Sequence, residues 1–238
     1  MTKVLTLSFV LYCSWVQAQM QKDSSFLEAA IQNNILLYGK SIQGQTLLYN
    51  GGLYVPPRQT NDQHPFFESY DWVTGDVIFD SQLYENVPLL YDITSDRLVT
   101  ENYYSATEIT PMAEKLSQFT IGGHTFVKLD HKTLPKAGFY ELLYKGPSSV
   151  VARRQKIIYE RIVDRSIEID FTPKNRYFIF KNGAYFPVKG KASVLKIFED
   201  ERPALKQFIH KSKIRFKTNP EKALSLMAEK YDILKKLP

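Results

Sequence analysis

Short apolar runs divided by tight-turn residues dominate the middle of this 238-residue chain. Gly122-Gly123 separates LSQFTI from HTFVKL, Lys145-Gly146-Pro147 closes GFYELLY, and Asn182-Gly183 separates RYFIFK from AYFPV. Turns this short join strands that are neighbours in sequence, so residues 46–188 are expected to form an antiparallel meander. No alternation of strand and helix signals runs through the segment, which argues against a doubly wound or α/β-barrel fold.

The strands carry a second constraint. In GFYELLY, Tyr140, Leu142 and Tyr144 share one face and Phe139, Glu141 and Leu143 the other; in RYFIF, Phe178 and Phe180 oppose Tyr177 and Ile179. A sheet wetted on one side alternates apolar with polar residues. Here both faces are largely apolar, so the sheet is expected to be covered front and back, as a curved antiparallel meander sheet or an open barrel. LLYNGGLYV, residues 47–55, reads as a hairpin turning at Asn50-Gly51. DVIFDSQLYENVPLLYD, residues 76–92, reads as another, with strands at 77–79 and 87–91, a connection from Ser81 to Asn86, and Pro88 marking an edge or a bulge. Asp92 to Asp96 reads as a turn, because it lacks the acidic third position, the glycine and the distal glutamate of a calcium loop.

Helical periodicity brackets the strands. Residues 24–39 have a capping-box spacing at Ser25 and Glu28, an apolar stripe of Phe26, Ala30, Ile31 and Ile35, and Gly39 as a stop. After Val188, Ser193 is placed to cap SVLKIF, and Glu199 to Glu201 precede a helix with Pro203 as its first residue. Asn219-Pro220-Glu221 opens the last helix, striped by Ala223, Leu224, Met227, Tyr231 and Leu234. The expected fold class is therefore α+β and β-rich: a single domain over residues 19–238 with an N-terminal helix, in which 189–238 is a basic helical C-terminal segment.

Residues 1–18 have the layout of a cleaved signal peptide: Lys3, an apolar run from Val4 to Val16, and small residues before a cut after Ala18. The expected address is export, to the periplasm or beyond. Cys13 is the sole cysteine and leaves with this segment, so the mature chain is expected to form no disulfide and no thiolate site.

Charge divides unevenly. Residues 189–238 hold thirteen Lys/Arg against six Asp/Glu, while residues 19–188 hold seventeen against nineteen. The basic clusters Arg153, Arg154 and Lys156, and Lys206, Lys211, Lys213, Arg215 and Lys217, read first as solvated faces. Peripheral contact of residues 189–238 with an anionic membrane is a further expectation, and export sets nucleic acid aside as a partner.

Catalytic motifs are missing. His64, His124, His131 and His210 show no zinc spacing, and there is no nucleophile elbow, P-loop or dinucleotide fingerprint. No catalytic residue, metal or cofactor is assigned. Trp72, Tyr84, Tyr91, Tyr140 and Tyr144 are the candidate lining of a groove for an apolar ligand, with a core role as the competing reading.

The succession LYNGGLY, DWVTGDVIFDSQLYENVPLLYD, GFYELLYKG and the tail from KASVLKIF to AEKYDIL resembles an uncharacterised family of exported envelope proteins of Gram-negative bacteria. That resemblance implies export and one shared fold. The helix–meander–helix order is similar at fold level to the periplasmic lipoprotein-carrier proteins, which implies a curved sheet around a lipid-binding cavity. The expected function is a non-enzymatic envelope protein binding an apolar ligand or a partner protein. The alternatives are a hydrolase of envelope polymers using carboxylates such as Asp76, Asp80 or Glu141, and an accessory subunit docking by its basic C-terminal helices.

Overall fold

The computed structural model describes residues 47–102 and 105–236. The expected signal peptide and the helix read at 24–39 lie outside the described residues. The strands are β1 (Gly52–Leu53), β2 (Val73–Phe79), β3 (Gln82–Asp92), β4 (Arg97–Glu101), β5 (Glu108–Thr110), β6 (Leu116–Ile121) and β7 (His124–Leu129). They continue as β8 (Gly138–Tyr144), β9 (Val150–Arg153), β10 (Lys156–Val163), β11 (Ser166–Pro173), β12 (Arg176–Lys181) and β13 (Ala184–Val188). Helices α1 (Lys191–Ile197), α2 (Arg202–Lys211) and α3 (Pro220–Lys236) follow.

The expected β-rich α+β class holds. Eleven strands form one antiparallel sheet in the order β1-β5-β4-β3-β2-β6-β7-β8-β9-β12-β13, and it does not close into a barrel. Most neighbours are consecutive, as short turns dictate. At Asn182-Gly183 both residues take positive φ, the geometry that suits a two-residue hairpin. The β3–β4 turn is built by Asp92, whose Oδ1 accepts from the Thr94 and Ser95 amides at 2.8 and 3.1 Å.

The sheet curls tightly. Four strand spacings lie between β3 and β8, about 19 Å in a flat sheet at about 4.8 Å each. Yet the Tyr91 ring of β3 and the Phe139 ring of β8 have centroids 6.2 Å apart. Tyr91 also meets Phe119 at 5.0 Å and Phe126 at 4.8 Å, and Phe119 stacks on Phe126 at 4.9 Å. These rings fill the concave side together with Val77, Phe79, Leu89, Leu98, Leu116 and Leu48. The side of the sheet that the carrier resemblance would make hollow is thus packed with aromatic side chains. Across the same gap, Arg153 at the end of β9 donates to Asp96 beside β4 at 2.7 Å, and to the Phe139 carbonyl at 2.7 Å. Gly138, with φ of 149°, lies against this pair, and a Cβ there would strike the Asp96 carboxylate and the Arg153 guanidinium.

Two-sided cover is what the structure shows over β8, β9 and β12. On β12, Phe178 packs with Leu134, Tyr140 and Val151 on one face, while Ile179 packs with Val150, Val188 and the helices on the other.

Several expectations need correcting. LLYNGGLYV is not a hairpin: Leu47–Tyr49 is a short 3-10 turn and β1 pairs with β5. Gly51 serves a close approach, since a Cβ there would strike the Thr110 carbonyl. The hairpin in 76–92 is real but tighter than read. Asp80 and Ser81, both at positive φ, make its turn, and residues 82–86 are strand. Pro88 lies inside the sheet rather than on an edge. Pairing with β4 begins at Leu89, so the missing amide costs no ladder bond on that side, and the bulge falls on the facing strand between Gly75 and Val77. Arg153 and Arg154 are not a solvated basic cluster; they are 3 and 6 % exposed. Ser193 does not cap α1 from outside. It sits one turn in, and its Oγ accepts from the Lys189 and Gly190 amides at 3.0 and 3.1 Å. Pro203 is the second rather than the first residue of α2.

The buried Asp96–Arg153 pair yields a direct expectation. Asp96→Ala leaves the guanidinium, among the described residues, with the Phe139 carbonyl and the Tyr140 ring, and removing one partner of a largely buried pair costs about 3 kcal/mol. Urea denaturation should read that loss. A change below about 0.5 kcal/mol would mean that the pair contributes nothing beyond an exposed one.

Candidate functional site

A groove of about 620 Å³ lies on the face of the C-terminal half of the sheet that carries Phe178. Phe178 and Pro187, which are opposed in the β12–β13 register, line it with Leu134, Pro135 and Val188. Thr133, Asn175, Tyr177 and the exposed Arg176 and Lys189 complete the lining; among the described residues neither cation has a carboxylate partner. The lining is mostly apolar with two cations, and its size falls in the range of about 300–1,000 Å³ usual for small-molecule sites.

The groove is held in shape from below and from the side. Phe178 packs edge-on against Tyr140 at 5.9 Å, and the Arg153 guanidinium lies 5.2 Å from the Tyr140 ring centre. The Tyr140 hydroxyl donates to the Lys136 carbonyl at 2.7 Å, fixing the connection before β8. Burial pushes the pKa of this phenol up, with Arg153 opposing the shift. Nearby, the Tyr185 amide of edge strand β13 donates to Thr133 Oγ1 at 2.7 Å, and His131 packs on the Tyr185 ring at 5.3 Å. The 131–136 loop thus covers an edge that Pro187 also protects.

A charged network adjoins the groove through Tyr177. Its hydroxyl donates to Glu221 Oε1 at 2.9 Å. Arg154 Nη1 donates to the same oxygen at 2.6 Å, and its Nε and Nη2 bond Glu141. Glu141 also meets His124 Nδ1 at 2.6 Å, and His124 Nε2 lies 3.4 Å from Glu68. Burial works against the Arg154 charge, but its bonds to Glu221 and Glu141 outweigh this and raise its pKa. The Arg154 bond, opposed by burial, holds the Glu221 carboxyl below the ordinary carboxylate range. The network fastens the first turn of α3 to the sheet. Ser225 Oγ continues the seam by donating to the Leu143 carbonyl at 3.1 Å, and Asp232 accepts from Tyr144 and the Ser148 amide at 3.0 and 3.1 Å. Burial, then Asp232, push the Tyr144 phenol up to about 12. Gly146 lets this approach happen, because a Cβ there would lie 2.5 Å from Asp232.

The five aromatic residues singled out in the sequence do not line one surface. Tyr91 is the centre of the concave core, and Tyr84 packs at its margin, 6.3 Å from Phe79. Tyr144 lies in the helix-side cluster, and Trp72 is exposed. Tyr140 alone reaches the groove, as the buried support beneath Phe178. The three carboxylates weighed for hydrolysis have separate partners: Asp80 pairs with Lys115 at 3.0 Å, Asp76 accepts from the Asn86 amide at 3.3 Å, and Glu141 is bound to Arg154 and His124. Arg176, Lys189 and the 133–135 loop were not marked by sequence reasoning. Lone cations beside prolines carry no motif, and only the β12–β13 register brings them to one place.

Among the described residues no cluster of three or more His, Cys, Asp or Glu could hold a metal ion. Among them, too, no helix is long and apolar enough to cross a membrane. Comparison with protein-family models, with curated proteins and with solved structures found no match to this chain.

The seam has a pH signature. Because the folded Glu221 pKa lies below its unfolded value, the unfolded chain takes up the proton first as pH falls. The stabilisation is whole above the ordinary glutamate pKa of about 4.3 and drains away below it. Thermal melts between about pH 3 and 7 should show wild type losing more stability on acidification than Glu221→Gln. Parallel curves for the two would refute the assignment.

Proposed function

We propose that this is a non-enzymatic binding protein of the cell envelope, and that its ligand is an amphiphile with a long apolar chain and an acidic head. The observation that carries the reading is the groove over Phe178, Leu134 and Pro187, with two cations in its lining, Arg176 and Lys189, that have no carboxylate partner among the described residues. An acyl chain replaces water on the apolar floor, and an acidic head satisfies the cations. The exported address read from the sequence fits this reading; the carrier resemblance lends it no support, because the concave side where that resemblance puts the cavity is filled.

A dansyl-labelled long-chain fatty acid titrated into the purified protein should saturate with enhanced fluorescence. Arg176→Glu/Lys189→Glu should weaken it by about tenfold or more, the worth of one charge-assisted hydrogen bond. The matching fatty alcohol should lose little. Equal affinity of wild type and variant for the acid would sink the reading.

One observation favours a second reading, a partner protein. Strands β10 and β11 form a hairpin outside the main sheet. Its register puts Ile158, Glu160 and Ile162 on one face with Ile167, Ile169 and Phe171. Ile169 and Phe171 are buried, but Ile162 is 83 % exposed and Ile158 and Ile167 are 40 and 44 % exposed. The other face is mixed: Ile157, Tyr159 and Val163 lie beside Arg161, which pairs with Asp170 at 2.6 Å. A photo-crosslinking residue at Ile162 in growing cells should give one discrete adduct that the same residue at Lys132 does not; identical smears from both sites would rule this out.

A further inference from the structure

Residues 202–222 hold seven Lys/Arg and one acidic residue, Glu221. Glu221 is turned inward to Arg154 and Tyr177 and offers its charge to none of the seven. Among the described residues none of the seven has a carboxylate partner, and each is exposed. The contrast with nearby cations is direct: Lys181 and Lys235 both pair with Asp200, at 2.9 and 2.8 Å. Packing holds these seven outward. Leu205 and Ile209 of α2, with Ala223, Leu224 and Met227 of α3, fix the opposite helix faces in the core. The α2–α3 connection then gathers Lys213, Arg215 and Lys222 around a shallow recess of about 330 Å³, walled partly by Ile214 and Leu226.

The groove and this surface lie on opposite faces of the sheet: Phe178 faces the groove, while Tyr177 packs on the helix side and bonds Glu221 there. We infer that the α2–α3 connection docks the protein on an anionic phospholipid membrane. The argument is charge complementarity. Each cation close to an anionic leaflet multiplies affinity about fivefold, so several acting together bind measurably while any one does not. Single-stranded nucleic acid fits the surface less well, because Phe208 and Phe216 are part-buried in the helix-side core and are not free to stack on bases. Docking does not rest on the groove reading.

Co-sedimentation of the full chain with vesicles tests it. Vesicles of phosphatidylcholine with a quarter phosphatidylglycerol should retain the protein at low salt and release it at about 0.5 M salt, where screening is within a few ångströms. Lys213→Glu/Arg215→Glu/Lys217→Glu should raise the half-saturating lipid concentration by about tenfold or more. A control reversal of three exposed cations elsewhere, Arg58→Glu/Lys132→Glu/Arg165→Glu, should leave it unchanged. If the first variant melts early, the same three positions as glutamine carry the test. Retention on pure phosphatidylcholine, equal losses in both triple variants, or tighter binding to a single-stranded oligonucleotide would each overturn the inference. Fatty-acid titration without vesicles reads the groove separately, and Lys213→Glu/Arg215→Glu/Lys217→Glu should keep it intact.

Discussion

The curl of the main sheet is the constraint on which the rest of the molecule depends. Tyr91, Phe119, Phe126 and Phe139 come from four different strands and reach one another only because the sheet coils. Edge-to-face and stacked rings fill the concave space densely among the described residues. Asp96 and Arg153 sit at the end of this cluster as a buried charged clasp. Their desolvation cost is met by geometry: the guanidinium reaches a carboxylate and a carbonyl, and the carboxylate also accepts from the Tyr91 side through its other oxygen, at 2.6 Å. Uncoil the sheet and this pair is drawn apart with the rings.

The same arginine connects the core to the groove. Its guanidinium lies against the Tyr140 ring, and that ring carries Phe178 on the groove side. Arg154, the next residue, points into the seam under α3. Successive side chains of an extended backbone point to opposite faces, so one Arg-Arg step serves two different polar centres. Arginine suits both places, because its planar fork satisfies several acceptors at once and stays charged when buried. The lysines, by contrast, are mostly left at the surface, where a compact, well-hydrated ammonium is cheaply kept.

Function in this protein is read from what folding leaves uncovered. Among the described residues the concave side is filled, and the surfaces left uncovered include the outer groove, the β10–β11 hairpin and the basic helical end. These differ in chemistry: apolar with two cations, apolar with one glutamate, and cationic. The groove and the basic end lie on opposite faces of the sheet, tied through β12, whose Phe178 faces the groove and whose Tyr177 bonds Glu221 on the helix side.

Local chemistry in the sequence determined much of the architecture. Two-residue turns announced the meander, two-faced apolar strands announced cover on both sides, and Asn219-Pro220 announced the last helix, because each depends on a few adjacent residues. LLYNGGLYV misled for the same reason: Gly51 answers to Thr110, far along the chain, and no local rule sees that approach. Arg153 and Arg154 looked like solvent-facing charge because burial depends on partners 13 to 67 residues away. Of the candidate aromatics, Tyr140 was found but its role as a support was not. The groove itself, made by Arg176, Lys189 and a loop some 40 residues earlier, exists only once β12, β13 and the 133–135 loop are side by side. Periodicity sets which face of a strand is greasy; only the curl and the register set which greasy face stays open to water.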